Sequence, residues 1–144
     1  MANASMSNNL SLYNQVNSVG NATDADPHRL VLMLLEGALS KLAMVKGFMA
    51  RKDIAGKGAA IGQAIAITGG LKASINKEAG GEIAVNLDNI YEYIERRLAQ
   101  ANISNDVEII DEVVSLLREI KTAWTTIPVE FRTKSSADLS AASL

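Results

Sequence analysis

The chain contains no cysteine, one histidine, one tryptophan and two prolines among its 144 residues, and only 4% of it is aromatic. Without cysteine there is no disulfide, thiol nucleophile or thiolate-held metal. A single histidine leaves too few ligands for a zinc site, and no Glu-x-x-His pair of the kind that builds di-metal centres in helical bundles. With so few rings, the core must be aliphatic, and hydrophobic residues do make up 48% of the chain. The net charge of -2 comes with Lys and Arg spread along the sequence, so no basic patch points to nucleic acid. No apolar run approaches the ~20 residues that span a bilayer. The first residues show no basic stretch followed by an apolar core, which reads as no secretory signal. The expectation is one intracellular, cytoplasmic domain with no metal, no cofactor, no nucleic acid and no membrane insertion.

What is present is helical periodicity. Residues 1–24 read as a flexible N-terminal segment, with Leu10–Val16 as a short apolar-polar patch that either frays or docks on the body. Asp26 and Pro27 form a helix start, and the helix should run to about Arg51. Val31, Leu34, Leu35, Ala38, Leu42, Val45 and Met49 make one stripe on it. Leu30, Met33, Gly37, Met44 and Phe48 make a second beside the first. Together they cover about half of the circumference, more than the ~100° arc of a surface helix. The excess is either deep burial or a groove that unbranched Met side chains adapt to a partner.

Asp53 can cap a second helix, about 54–76, with Ile61, Ala64, Ile65, Ile67, Leu71 and Ile75 at near-helical spacing. Its glycines each cost up to ~1 kcal/mol relative to Ala, and Thr68-Gly69-Gly70 reads as a kink or soft spot. A third helix, 80–102, opens on Gly80-Gly81 and carries Ile83, Leu87, Ile90, Ile94, Leu98 and Ala101 on one face. Asn86, Asp88, Asn89, Glu92 and Gln100 take the wet side. Asn105 and Glu108 have capping-box spacing before a last helix bearing Ile110, Val113, Leu117, Ile120 and Trp124, and Pro128 marks its end. Residues 128–144 read as a loose tail. Four helices with short connections predict an all-α, antiparallel four-helix up-down bundle over 25–127, with a short extra N-terminal helical segment.

No catalytic constellation emerges. Ser and Thr lack a nearby base, no glycine-rich phosphate loop follows a strand, and the chain is not expected to be an enzyme. His28, in the first turn of the first helix, reads as a surface side chain. The alternative for it is a phosphoaccepting histidine of a phosphotransfer bundle.

In order along the chain, Gly80-Gly81-Glu82, Asn86-Leu87, Tyr91-Glu92-Tyr93, Arg96-Arg97-Leu98 and Ala101-Asn102 resemble the signature of the flagellin-specific export chaperone family, FliS. Tyr13-Asn14-Gln15-Val16, Asp26-Pro27 with Leu30, Leu34 to Leu39 and Trp124 extend the resemblance over about residues 10–127. Two positions depart from it. Leu34-Leu35 stands where the family commonly has Leu-Tyr, and Gly69-Gly70 stands where it usually has a Glu-Leu-like pair.

The resemblance implies a chaperone that binds the disordered C-terminal segment of flagellin, prevents early polymerisation and hands it to the type III export apparatus, with export-gate components as further partners. A client that orders on binding buries on the order of 1,000–3,000 Å² and loses ~2–5 kcal/mol to ordering, which suits a long groove. The expected groove residues are Leu30, Met33, Met44 and Phe48 on the first helix and Ile109 and Leu116 on the last. The family's N-terminal cap would correspond here to Leu12, Tyr13, Gln15 and Val16. Burying one such side chain, worth roughly 1.5–3 kcal/mol, would lower client affinity ~10- to 100-fold. A bundle whose extra stripe is buried in a homodimer is the other reading, so the expected state is a monomer or a weak homodimer.

Overall fold

The computed structural model describes residues 26–75 and 77–126, and the statements below concern these. They form four helices: α1, Pro27–Arg51; α2, Ile54–Ala73; α3, Lys77–Ser104; and α4, Val107–Thr125. The connections are short enough to force antiparallel neighbours, and the helices pack in a ring in which α1 and α3 each lie against α2 and α4. This is the expected all-α four-helix bundle, with no strand among the described residues. The expected N-terminal helical segment and the cap residues Leu12, Tyr13, Gln15 and Val16 lie outside them.

α1 begins as its sequence dictates. The Asp26 carboxylate accepts the His28 amide at 3.0 Å and Pro27 occupies the first turn. It ends at Lys52, whose left-handed backbone (φ 58°) returns amides to the Met49 and Phe48 carbonyls. Val31, Leu34, Leu35, Ala38, Leu42 and Val45 are buried, so the first stripe is core.

α2 stops three residues earlier than expected, at Ala73, because Ser74 caps it. The expected kink is absent. Thr68 is fully buried and its hydroxyl donates to the Ala64 carbonyl at 2.8 Å, and the helix runs on through Gly69 and Gly70. The small residues matter elsewhere: a Cβ on Gly56 would sit 2.6 Å from the Phe48 ring, so glycine lets α1 and α2 approach closely.

α3 breaks at Gly81 (φ 59°, ψ -138°), the turn that the glycine pair predicted. Its core face is rotated from the expected stripe in the first half. Ala84, Asp88 and Tyr91 are buried there, whereas Ile83 and Ile90 are exposed. Ile83 and Ile90 share a flank with Arg97 at seven-residue steps, and Arg97 is the point where that flank reaches α4. Nearer Gly81 the same flank stays open. Asp88 is therefore on the core face rather than the wet side; the Lys72 ammonium is raised first by its hydrogen bond to Glu95, and Asp88 adds only the last share.

The N-cap of α4 is Asp106, which accepts the Glu108 amide at 2.9 Å, and not Asn105. Asn105 is one residue too early and adopts the left-handed conformation (φ 58°) that ends α3.

Candidate functional site

Three signature residues of α3, Tyr91, Tyr93 and Arg97, work within the bundle. Tyr91 is 1% exposed, with burial pushing its hydroxyl well above the ordinary range. Tyr93 and Arg97 reach across to α4. The Tyr93 hydroxyl and the Arg97 Nε both donate to Glu112, each at 2.8 Å. The hydrogen bond from Arg97, reinforced by that from Tyr93, holds the Glu112 carboxyl below the usual range; the same contact raises Tyr93. The Arg96 guanidinium lies 6.0 Å from the Tyr93 ring centroid, at the outer limit of a cation–π contact. Asn86 is exposed and Leu87 half-buried. On the other side of α3, Lys72 of α2 meets Glu95 at 3.0 Å and Glu92 at 3.6 Å.

His28 is not the surface side chain expected from its place in the first turn. It is 3% exposed and stacks on Trp124, with ring centroids 5.4 Å apart and planes 13° from parallel. The two residues exchange hydrogen bonds. His28 Nε2 donates to the Trp124 carbonyl at 2.8 Å and Trp124 Nε1 donates to the His28 carbonyl at 2.9 Å. A carbonyl only accepts, so Nε2 carries the proton. A ring so enclosed is not presented to a phosphodonor, which removes the basis of the phosphotransfer alternative. The clasp ties the start of α1 to the end of α4.

Sequence reasoning missed Lys57. It is buried, and its ammonium donates to the Asn102 carbonyl at 3.0 Å and to Asn105 Oδ1 at 3.2 Å. From α2 it caps the last turn of α3, where a cation meets the negative end of the helix. The readable signal was its position, one turn after the Asp53 cap, at the same end of the bundle as the α3–α4 turn.

Among the described residues, an open trough of about 760 Å³ runs between α1 and α4. Leu39 and Ala43 form its α1 wall; Val114 and Ala123 contribute apolar surface from α4. Lys46 and Asp111 pair across it at 2.7 Å near one end. From Asp111 to Thr126 it follows α4 for about 22 Å at the helical rise per residue.

None of the six expected groove residues lines this trough. Leu30 and Phe48 are half-buried against the core, Met33 is half-buried, and Met44 is 43% exposed. Gly37 and Phe48 of this second stripe face α2, at Ile67 and Gly56, while Met44 stays open to solvent. Ile109 is in the core, at 6% exposure, and Leu116 is half-buried on it. Both share the flank of Glu112, which faces α3. The six residues therefore fall on two different flanks and do not form one groove here. The trough lies on the remaining flank of α1, which the width of the stripe did not single out.

The family model described as "Flagellar protein FliS" matches residues 7–130. The flagellar secretion chaperone FliSB of Pseudomonas aeruginosa is 48% identical over 115 residues, covering 80% of this chain and 91% of that protein. The flagellar secretion chaperones FliS of Vibrio cholerae and Salmonella typhimurium are 36% and 45% identical over 134 and 116 residues. These alignments cover 93% and 80% of this chain, and 98% and 86% of those proteins. Four packed helices, the α3 signature and these matches agree: the chain belongs to the FliS family of flagellar secretion chaperones.

Proposed function

We propose that this chaperone takes the C-terminal segment of flagellin as its client in the cytoplasm, keeps it from polymerising and delivers it to the export gate. The observation that supports this reading is the trough between α1 and α4, long and partly apolar, which suits an extended or helical segment better than a small molecule. The other flank of α1, with Met44 exposed and Met33 half-buried, adds adaptable apolar surface for a longer client that wraps around the bundle.

In the absence of client, Leu12, Tyr13, Gln15 and Val16 would cover part of this surface, on the side of Leu30 and Met33 nearest the point where their segment joins α1. Deleting residues 1–18 should then raise binding of a hydrophobic dye. For the client itself, a peptide from the flagellin C-terminus should co-elute with the protein and gain helicity by circular dichroism. Absence of any complex at tens of micromolar, about the weak end for such interfaces, would overturn the reading.

A further inference from the structure

The trough reaches Thr126, the last described residue, so the point to which the following segment is attached lies on its lining. That continuation reads Ile127-Pro128-Val129-Glu130-Phe131-Arg132. Apolar residues recur at every second position, the pattern of an extended segment with one apolar face, and Pro128 breaks any further helix. At ~3.3 Å per extended residue, Ile127 to Phe131 covers most of the distance back to the level of Leu39 and Ala43. The trough also offers Arg118 and Glu119, neither of which forms an ion pair among the described residues. In the continuation Glu130 and Arg132 alternate with the apolar positions and fall on the other face of an extended segment, which leaves its apolar face uncharged.

We propose that the trough is the docking site of the chain's own segment 127–134, laid back along α4 with Ile127, Val129 and Phe131 toward Leu39, Ala43 and Val114. The N-terminal segment is the less suitable occupant. It joins the bundle at Asp26, near the same end of the trough because His28 contacts Trp124, but Asp26 does not line the trough, whereas Thr126, the root of the C-terminal segment, does. Because both would occupy the same surface, the docked segment competes with a client. That regulatory consequence rests on the function proposed above, whereas the docking does not.

The absence of cysteine makes the test clean. A nitroxide on Ser135→Cys in the full chain, without client, should reduce the amide signals of Leu39 and Ala43 on α1. The signals of Ala123 and Thr126 lie beside the root of the segment and respond in either case, so Leu39 and Ala43 carry the result. Val129→Ser with Phe131→Ser, both outside the four helices, should restore the lost intensity, as should Ala43→Arg within the trough. Unchanged Leu39 and Ala43 signals would overturn the proposal. So would broadening by a label on Ser11→Cys in place of Ser135→Cys, which would give the trough to the N-terminal segment. A chain ending at Thr126 should bind the flagellin peptide about tenfold more tightly, as expected when ~90% of the free protein is self-occupied. If that truncated chain binds no peptide while the label still reports docking, the client reading fails and the docking stands.

Discussion

The two flanks of α1 are packed in opposite ways. Toward α2, glycine admits the Phe48 ring to the helix backbone at Gly56, and Gly37 lies within van der Waals reach of Ile67. This is the most extensive helix–helix contact in the bundle. Toward α4 the contact is less extensive, and its outer seam carries the trough, with His28 and Trp124 near one end and Lys46 and Asp111 near the other. Small residues bring the helices together on one side, and polar contacts flank the trough on the other. The flank with the second apolar stripe is closed at Phe48 and Gly56, while Met44 on it stays exposed.

The largest expected effect comes from the clasp. Trp124→Ala removes a half-buried ring, its stacking on His28 and the indole hydrogen bond to the His28 carbonyl, while the main-chain carbonyl that His28 Nε2 donates to remains, and should cost about 3 kcal/mol, the lower end for a large aromatic truncation because the ring is only half-buried. Trp124→Phe keeps a ring but leaves the His28 carbonyl without its indole donor, and should cost about 1 kcal/mol. Urea unfolding of both variants checks the order. Equal losses would mean that stacking contributes little.

On the α2 side, Gly56→Ala should be destabilising although alanine is the better helix former. The new Cβ would sit 2.6 Å from the Phe48 ring and 2.9 Å from the Asp53 carboxylate that caps α2. Overpacking of ~1–3 kcal/mol outweighs the ~1 kcal/mol of helix propensity, for a net loss of about 1 kcal/mol. Phe48→Leu, which removes the ring, should turn the same substitution neutral or favourable. A Gly56→Ala chain that melts higher than the parent would show that the helices are not held this closely.

These two sites mark where the sequence was legible. Periodicity located four helices, with the start of α1 carried by Asp26-Pro27 and the turn before α3 by a glycine that needs positive φ. Those signals are local, set by a residue and its near neighbours. The site was not local. A stripe gives the width of an apolar arc but not the element that covers it, so Phe48 looked available although it packs on α2 at Gly56. His28 looked exposed because its partner is 96 positions away. Lys57 gave no apolar signal, since its partners are an amide oxygen and a main-chain carbonyl. Ile83 and Ile90 fit the stripe of α3, yet α4 does not cover that flank near Gly81.

A third test asks whether the α3–α4 contact is held by charge. The Glu112 carboxyl is held below its ordinary value of 4.5, first by Arg97 and then by Tyr93. Its contribution is therefore complete above that value and is lost as the pH falls through the lower folded-state value. Glu112→Gln should flatten the acid limb of the stability–pH curve below pH 4.5 and leave the slope near neutrality unchanged. Because the side chain is 40% exposed, the effect should shrink in high salt. An acid limb identical to that of the parent would place the α3–α4 contact on apolar packing alone.

The smallest effect belongs to the other pin of the trough. Lys46 and Asp111 approach to 2.7 Å, yet their side chains are 47% and 53% exposed, so water competes for both charges. Lys46→Met should change stability by no more than about 0.5 kcal/mol, and the difference should vanish in high salt. Its value lies in the contrast with Trp124, since the two pins are near opposite ends of one seam. If the trough is spread by the polar clasp at the far end, Lys46→Met leaves its width unchanged, and a nitroxide on Ala43→Cys reports the same distance to one on Ser115→Cys. If the ion pair sets the spacing, losing it lets the apolar walls close, and that distance shortens while the stability hardly moves. A shorter distance would then assign the open flank of α1 to a single solvated pair, whose cost to folding is small enough for a docked segment to replace it.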